Sequence, residues 1–280
     1  MHKELAPAKD SFLAAIGSLG HAAEVAHAEG WFHAECFDRD GNLLWSDTFP
    51  NVVTTVGKNL ALDTYLAGAA YTVVGPFMGL ISSTSFTNLA TTISALVSYT
   101  TNIVTLTTAA PHGLLPGDTF AINTVAGTGA NIAVLNNTWV ATTGTTGSTL
   151  AFSIGCSGLT ITTLTGGNVV TTSGTRIGDT MTSHANWLEA GNANAPTYTA
   201  PRKTAAWSAA SAGAKALSTA LVFGITGAGT VVGCFLVYGS GAVSTIDNTA
   251  GILYSGGVFT GGNKIVANGD TLNVSYTTSL

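Results

Sequence analysis

The sequence predicts an all-β protein, and three observations carry that reading. Charged residues are scarce, at 8% of the 280-residue chain, against about a quarter in ordinary globular domains. Hydrophobic residues make up 46% and glycine contributes 34 positions, with Thr, Val, Ser and Asn prominent among the rest, a composition that favours strands and turns. Short alternating stretches recur between clusters of Gly, Asn, Asp and Ser, as strands recur between turns. A disordered chain would instead be charge-rich and apolar-poor.

The same numbers bound function. A net charge of −5 lacks the basic footprint that nucleic acid requires, so no nucleic-acid partner is expected. So few charges suit a protein packed against neighbours better than one alone in solution. The length allows one large β-domain or two smaller units, with a core that needs no disulfide staples. Cys36, Cys156 and Cys234 lie far apart without a C-x-x-C pair, and read as small buried hydrophobes.

Residues 7–29 are expected to form a helix within an N-terminal arm spanning 1–30. Asp10 or Ser11 caps it, Phe12, Leu13, Ile16, Leu19 and Val25 form an apolar stripe, and Gly30 stops it. Ala26–Ala28 match the small-residue end of a signal peptide, but Glu4, Lys9, Asp10 and Glu24 interrupt that pattern. Residues 31–50 alternate on either side of Asp38-Arg39-Asp40-Gly41-Asn42, a β-hairpin signal. Asp38-x-Asp40-Gly41 also resembles the start of a calcium loop, but the further oxygen ligands and distant Glu do not follow.

Residues 51–68 predict an extended lead and a short helix carrying Leu60, Leu62, Tyr65 and Leu66, stopped at Gly68. Residues 69–83 read as a buried strand. From about 88 to 174 basic residues vanish and Thr, Gly and Asn dominate. Strands are expected at 102–108, 119–124, 138–143, 149–154 and 160–164, spaced as in a small barrel or Ig-like sandwich. This reads as an inserted domain, 88–174, in a host of 31–87 plus 175–280. The host supplies about eight strands, enough for a jelly-roll β-sandwich. Its uncharged run 219–238 is about long enough to span a bilayer. Gly227-Ala228-Gly229 and the flanking β-branched residues favour an apolar hairpin instead, so no membrane partner is expected.

Candidate chemistry is sparse, and the chain is expected not to be an enzyme. His112 and Asp118 stand six apart in TTAAPHGLLPGDTF, a catalytic loop or a bent corner. Pro111-His112-Gly113 and Pro116-Gly117-Asp118 favour two bends, with His112 bonding locally. Asp179, Ser183 and His184 lack a nucleophile elbow or oxyanion hole. His21 and His27 fall on different helix faces, and His33, His112 and His184 are isolated, so no metal is expected. Asp38, Asp40, Asp118, Asp179, Asp247 and Asp270 sit in turn contexts, where a carboxylate bonds its own backbone; glycosidase work would need two acids to meet in space. Gly224, Gly227 and Gly229 give G-x-x-G-x-G, the wrong order for a dinucleotide fingerprint, so no cofactor is expected. Asn136 and Asn273 open glycosylation acceptor triplets, which matter only in a secreted eukaryotic setting.

Two parts of the chain show family likeness. FHAECFDRDGNLLWSDTFPNVVTTVGKNLALD (32–63), GLISS, GDTMTSHANWLE and the C-terminal GTVVGCFLV, GILYSGGVFTGG and VANGDTLNVSYT resemble a family of tailed-bacteriophage capsid decoration, or cement, proteins. The resemblance implies a jelly-roll virion protein on the capsid exterior, assembled in the bacterial host cytoplasm and binding the major capsid protein. Exposed β-edges and low charge favour self-association, so a homo-oligomer, dimer or trimer, is expected. IVTLTTAAPHGLLPGDTFAI with LNNTWV resembles a small β-module of phage structural proteins, marked by T-x-x-x-H-G-L-x-x-G-D-x-x-x-I. Its presence departs from the decoration pattern, so a tail or head-fibre component with a glycan- or host-binding role is the alternative.

Overall fold

The computed structural model describes residues 28–66, 74–83, 90–100, 102–154, 160, 162–164, 166–171, 174–184 and 186–279. They form an all-β protein with one α-helix among the described residues, Thr55–Leu66. The expected N-terminal helix falls mostly on residues outside the described ones. Glu29 and Gly30, placed at its end, instead open the first strand, Glu29–Phe37.

Two antiparallel sheets enclose the main core. The first runs Thr197–Tyr198, Leu221–Gly227, Thr271–Ser279, Glu29–Phe37, Leu43–Pro50, with Ala214–Ala216 paired to Thr271–Ser279. The second runs Leu188–Glu189, Phe77–Ser82, Gly229–Tyr238, Ile252–Val258, Val52–Val53, with Lys203–Thr204 and Lys264–Val266 added at its flanks. Strand alternation sends Phe32, Ala34 and Cys36 inward and Trp31 and His33 outward. Inward residues of both sheets share one cluster that includes Phe32, Phe49, Met78, Leu80, Phe223, Cys234 and Leu272. Burying a side chain of this size contributes roughly 1.5–3 kcal/mol.

The expected hairpin forms in Glu29–Phe37 and Leu43–Pro50, in the register Phe32↔Phe49. Asp38 closes its turn, accepting from the backbone N–H of Asp40 at 2.9 Å and of Asn42 at 2.8 Å. The helix also forms as expected. Thr54 caps it, its hydroxyl accepting from Gly57 N–H at 3.0 Å. Leu60 is buried, but Leu62 is 56% exposed, against the expected stripe. Two residues are about 200° apart on a helix, so both cannot face one core.

The apolar run 219–238 is not a hairpin. Leu221–Gly227 pairs with Thr271–Ser279 in the first sheet, whereas Gly229–Tyr238 pairs with Phe77–Ser82 and Ile252–Val258 in the second. The Gly-Ala-Gly step is a corner where the chain changes sheet. Gly229 is required there, because a Cβ would lie 2.7 Å from Pro196 N. Gly229–Tyr238 is buried on both faces, with a second cluster of Met181, Trp187, Val232, Phe235 and Leu253 on its far side. Double cover explains its unbroken apolar sequence. No described helix is long and apolar enough to cross a membrane.

Between these strands, residues of the segment 90–171 pair among themselves. The order is Thr149–Ser153, Ile103–Thr108, Ala90–Thr100, Asn168–Thr171, Thr119–Asn123, Thr138–Val140. The Ala141↔Phe152 bridge joins its two ends, so the sheet curls into a closed ring. Val104, Leu106, Phe120, Ile122, Leu150, Phe152 and Val169 fill it. Phe120 packs edge-on to Phe152, with ring centroids 5.5 Å apart. Ala90–Thr100 and Asn168–Thr171 were not expected as strands. Register shifts at Ile93/Ala95 and Leu96/Ser98 break the alternation that would have revealed the first.

Candidate functional site

TTAAPHGLLPGDTF lies where this ring meets the two large sheets. His112 is fully buried. Its Nδ1 accepts from Leu114 N–H at 3.1 Å, which leaves Nε2–H to donate to the Thr149 carbonyl at 3.1 Å. These bonds define a neutral tautomer with no nitrogen free for proton transfer. Burial, together with the charge of Arg176, pushes its pKa below the ordinary histidine value.

Asp118 closes the second bend. Its N–H donates to Leu115 O at 3.0 Å, and its Oδ2 accepts from Leu115 N–H at 2.8 Å. The other oxygen, Oδ1, accepts from Ile177 N–H at 2.8 Å, across the junction. The carbonyl of Ile177 in turn accepts from Thr55 N–H, at the start of the helix, at 2.8 Å. Ile177 therefore ties ring, helix and the 174–180 loop together. Arg176 adds a long bond from Nη1 to Gly113 O at 3.4 Å. His112 and Asp118 are thus a bent corner and its fastening, as the turn residues predict.

Asp179 repeats the device. Its N–H donates to Arg176 O at 3.1 Å and its Oδ2 accepts from Arg176 N–H at 2.8 Å. Asp270 does the same with Ala267, at 3.1 and 2.7 Å. Leu-Pro-Gly-Asp, Arg-Ile-Gly-Asp and Ala-Asn-Gly-Asp are three copies of one turn. The Gly before Asp takes positive φ in two of them, 100° at Gly117 and 96° at Gly269, where a side chain would be strained. The shared Gly-Asp spacing was a signal available in the sequence, and it accounts for three of the turn-context acids.

The structure does not assemble Asp179, Ser183 and His184 into a triad. His184 stacks on Trp187 with centroids 3.8 Å apart and bonds the Trp187 carbonyl through Nδ1 at 3.0 Å. Asp179 is spent on its own turn. Among the described residues no group of three or more His, Cys, Asp or Glu comes together. His33 lies 3.6 Å from Glu35 on the exposed face of the first sheet, and His21 and His27 lie outside the described residues. Cys36 and Cys234 are buried free thiols, and burial, helped by Asp270, pushes Cys36 up to about 12; Cys156 lies outside the described residues. Gly224, Gly227 and Gly229 span the sheet-changing corner, with no helix following.

Sequence reasoning missed one charged constellation. Glu189 and Arg202 form a buried pair, with Arg202 Nε to Oε1 at 2.7 Å and Nη2 to Oε2 at 2.6 Å. Arg202 also donates to the Val243 and Asn248 carbonyls, and Glu189 accepts from Asp247 N–H at 2.9 Å. Burial pushes the Glu189 carboxyl upward against the pull of Arg202. All these groups are satisfied within the fold, so the pair clamps the 189–202 and 243–248 loops. A buried cation with full partners is structural by its bonding, and only the lone Arg of TAPRKTAAW marked it in the sequence.

Comparison of the chain with protein-family models, with curated proteins and with solved structures found no match.

Proposed function

We propose that the chain is a structural protein of a tailed-bacteriophage particle: a decoration protein on the outer surface of the major capsid protein shell, present as a dimer or trimer. In this reading the two large sheets are a jelly-roll host, 31–87 plus 175–280, and the ring is a β-domain inserted at 88–174. Residues 1–30 are an arm that reaches a neighbour.

One observation carries the reading: the outer face of the first sheet. Its exposed positions include Trp31, Leu44, Ser46, Thr48, Val222 and Thr226. Along Thr271–Ser279 the outward positions are Thr, Asn, Ser, Thr and Ser. Such a hydroxyl-rich face, with acids at Glu29 and Glu35 but no charge at the positions named above, suits contact with another protein surface. The carboxylates of Asp38, Asp118, Asp179 and Asp270 and the imidazole of His112 are occupied in holding turns, which accords with a mechanical role. That role is to bridge neighbouring capsid subunits against internal DNA pressure.

A tail or head-fibre component is the competing reading. The closed ring with its own core favours it, because a self-contained unit is suited to projecting toward glycans or host surfaces. A stained gel of purified virions separates the two. The decoration reading expects a band near 28.2 kDa that rivals the capsid protein. A faint band defeats it and favours a tail part.

A further inference from the structure

Beneath the helix, residues of both sheets line an open cavity of about 360 Å³. Leu60, Ala61 and Thr64 of the helix roof it; Leu236, Tyr238 and Tyr254 form one wall, and Trp207, Lys215 and Thr278 the other. The size is within the range of small-molecule sites, which are apolar bodies with a few placed polar groups. Among the described residues, Lys215 is the sole charged residue of the lining, and its ammonium lies 6.0 Å from the Trp207 ring centroid. The Trp207 indole Nε1–H is closed off from solvent and presents no surface to the cavity. Among the described residues, the cavity thus joins an apolar interior to one positive group at its rim, with no carboxylate in its lining.

We propose that this cavity binds a small anion with an apolar body, namely a medium-chain alkyl carboxylate. The chain packs between Leu60, Leu236 and Tyr254, and the carboxylate pairs with the Lys215 ammonium at the mouth. This assignment is independent of the particle on which the protein sits.

The test is calorimetric titration of the full chain with n-alkanoates from hexanoate to dodecanoate, below their micellar concentrations. Affinity is expected to tighten about fourfold per added methylene until the cavity is full, then level off. Decanol is expected to bind about fivefold more weakly than decanoate, the effect of one exposed charge. Lys215→Met, at an exposed position, abolishes that difference while decanol binding stays unchanged. Ala61→Phe fills the cavity and weakens decanoate at least about tenfold; should that variant not fold, Lys215→Met with the chain-length series decides alone. Absence of saturable decanoate binding overturns the proposal, as does equal binding of decanol and decanoate. Affinity that climbs without levelling marks surface adsorption and also overturns it. Decanoate competing with dimerisation of the chain in sedimentation would assign the cavity to a side chain of a second copy instead.

Discussion

Both ring nitrogens of His112 are committed to main-chain partners, and this has a pH consequence. Burial depresses its folded pKa, while the unfolded chain carries an ordinary histidine near 6.5. Between those two values the unfolded state holds a proton that the folded state refuses. The stabilising contribution is therefore complete above about pH 6.5 and is lost as pH falls toward the folded pKa, at up to about 1.4 kcal/mol per pH unit. Urea midpoints measured from pH 7.5 to 5.5 should fall more steeply for the native chain than for His112→Asn. The variant is less stable throughout, since its shorter side chain cannot span Leu114 and Thr149, but part of its pH slope is gone. Parallel slopes would show that His112 is not the group that titrates.

At the scale of elements, the helix Thr55–Leu66 depends on one hydroxyl. Thr54 accepts from Gly57 N–H and donates to the Leu253 carbonyl, so it caps the helix and pins it to Ile252–Val258. Gly57 sits directly over that strand, where a Cβ would collide with the Tyr254 carbonyl. Thr54→Ala should cost about 1–2 kcal/mol, read as a lowered denaturation midpoint, and Thr54→Ser should recover most of it. An equal loss in both variants would point to packing of the methyl group instead. The hairpin at Asp38–Asn42 and the helix over 55–66 were legible because each is written in neighbouring residues: a turn dipeptide between alternating strands, or helical spacing before a glycine stop. Ala90–Thr100 was not legible, since two bulges scramble its alternation. The corner at Gly227–Gly229 was misread because a Gly-Ala-Gly step serves a hairpin and a change of sheet equally well.

For the whole molecule, the junction at Ile177 is the point of coupling. Asp118 reaches it from the ring, Thr55 from the helix, and Arg176 and Asp179 brace the loop that carries it. Asp118→Ala should lower overall stability by about 1–3 kcal/mol. It should also speed hydrogen exchange at the Ile177 amide while Val104 and Ile122, within the ring, keep their protection. Uniformly faster exchange would mean that Asp118 supports the ring itself rather than its attachment. Asp118→Asn, which retains an oxygen toward one partner, should fall between.

Composition and short-range pattern were enough to establish a charge-poor all-β protein, its first hairpin, its helix, and turn duty for Asp38, Asp118, Asp179 and Asp270, though not for Asp247, whose carboxylate bonds Asn192 and Ala193. Each of these is decided by backbone geometry within a few residues, which side-chain type reports directly. Which strands become neighbours is decided by burial summed over distant segments. So are the closure of 90–171 through Ala141↔Phe152, the Glu189–Arg202 clamp and the cavity beneath Leu60. Pairing energy of that kind has no signature at any single position, because it exists only once residues far apart in the chain have excluded water from one another.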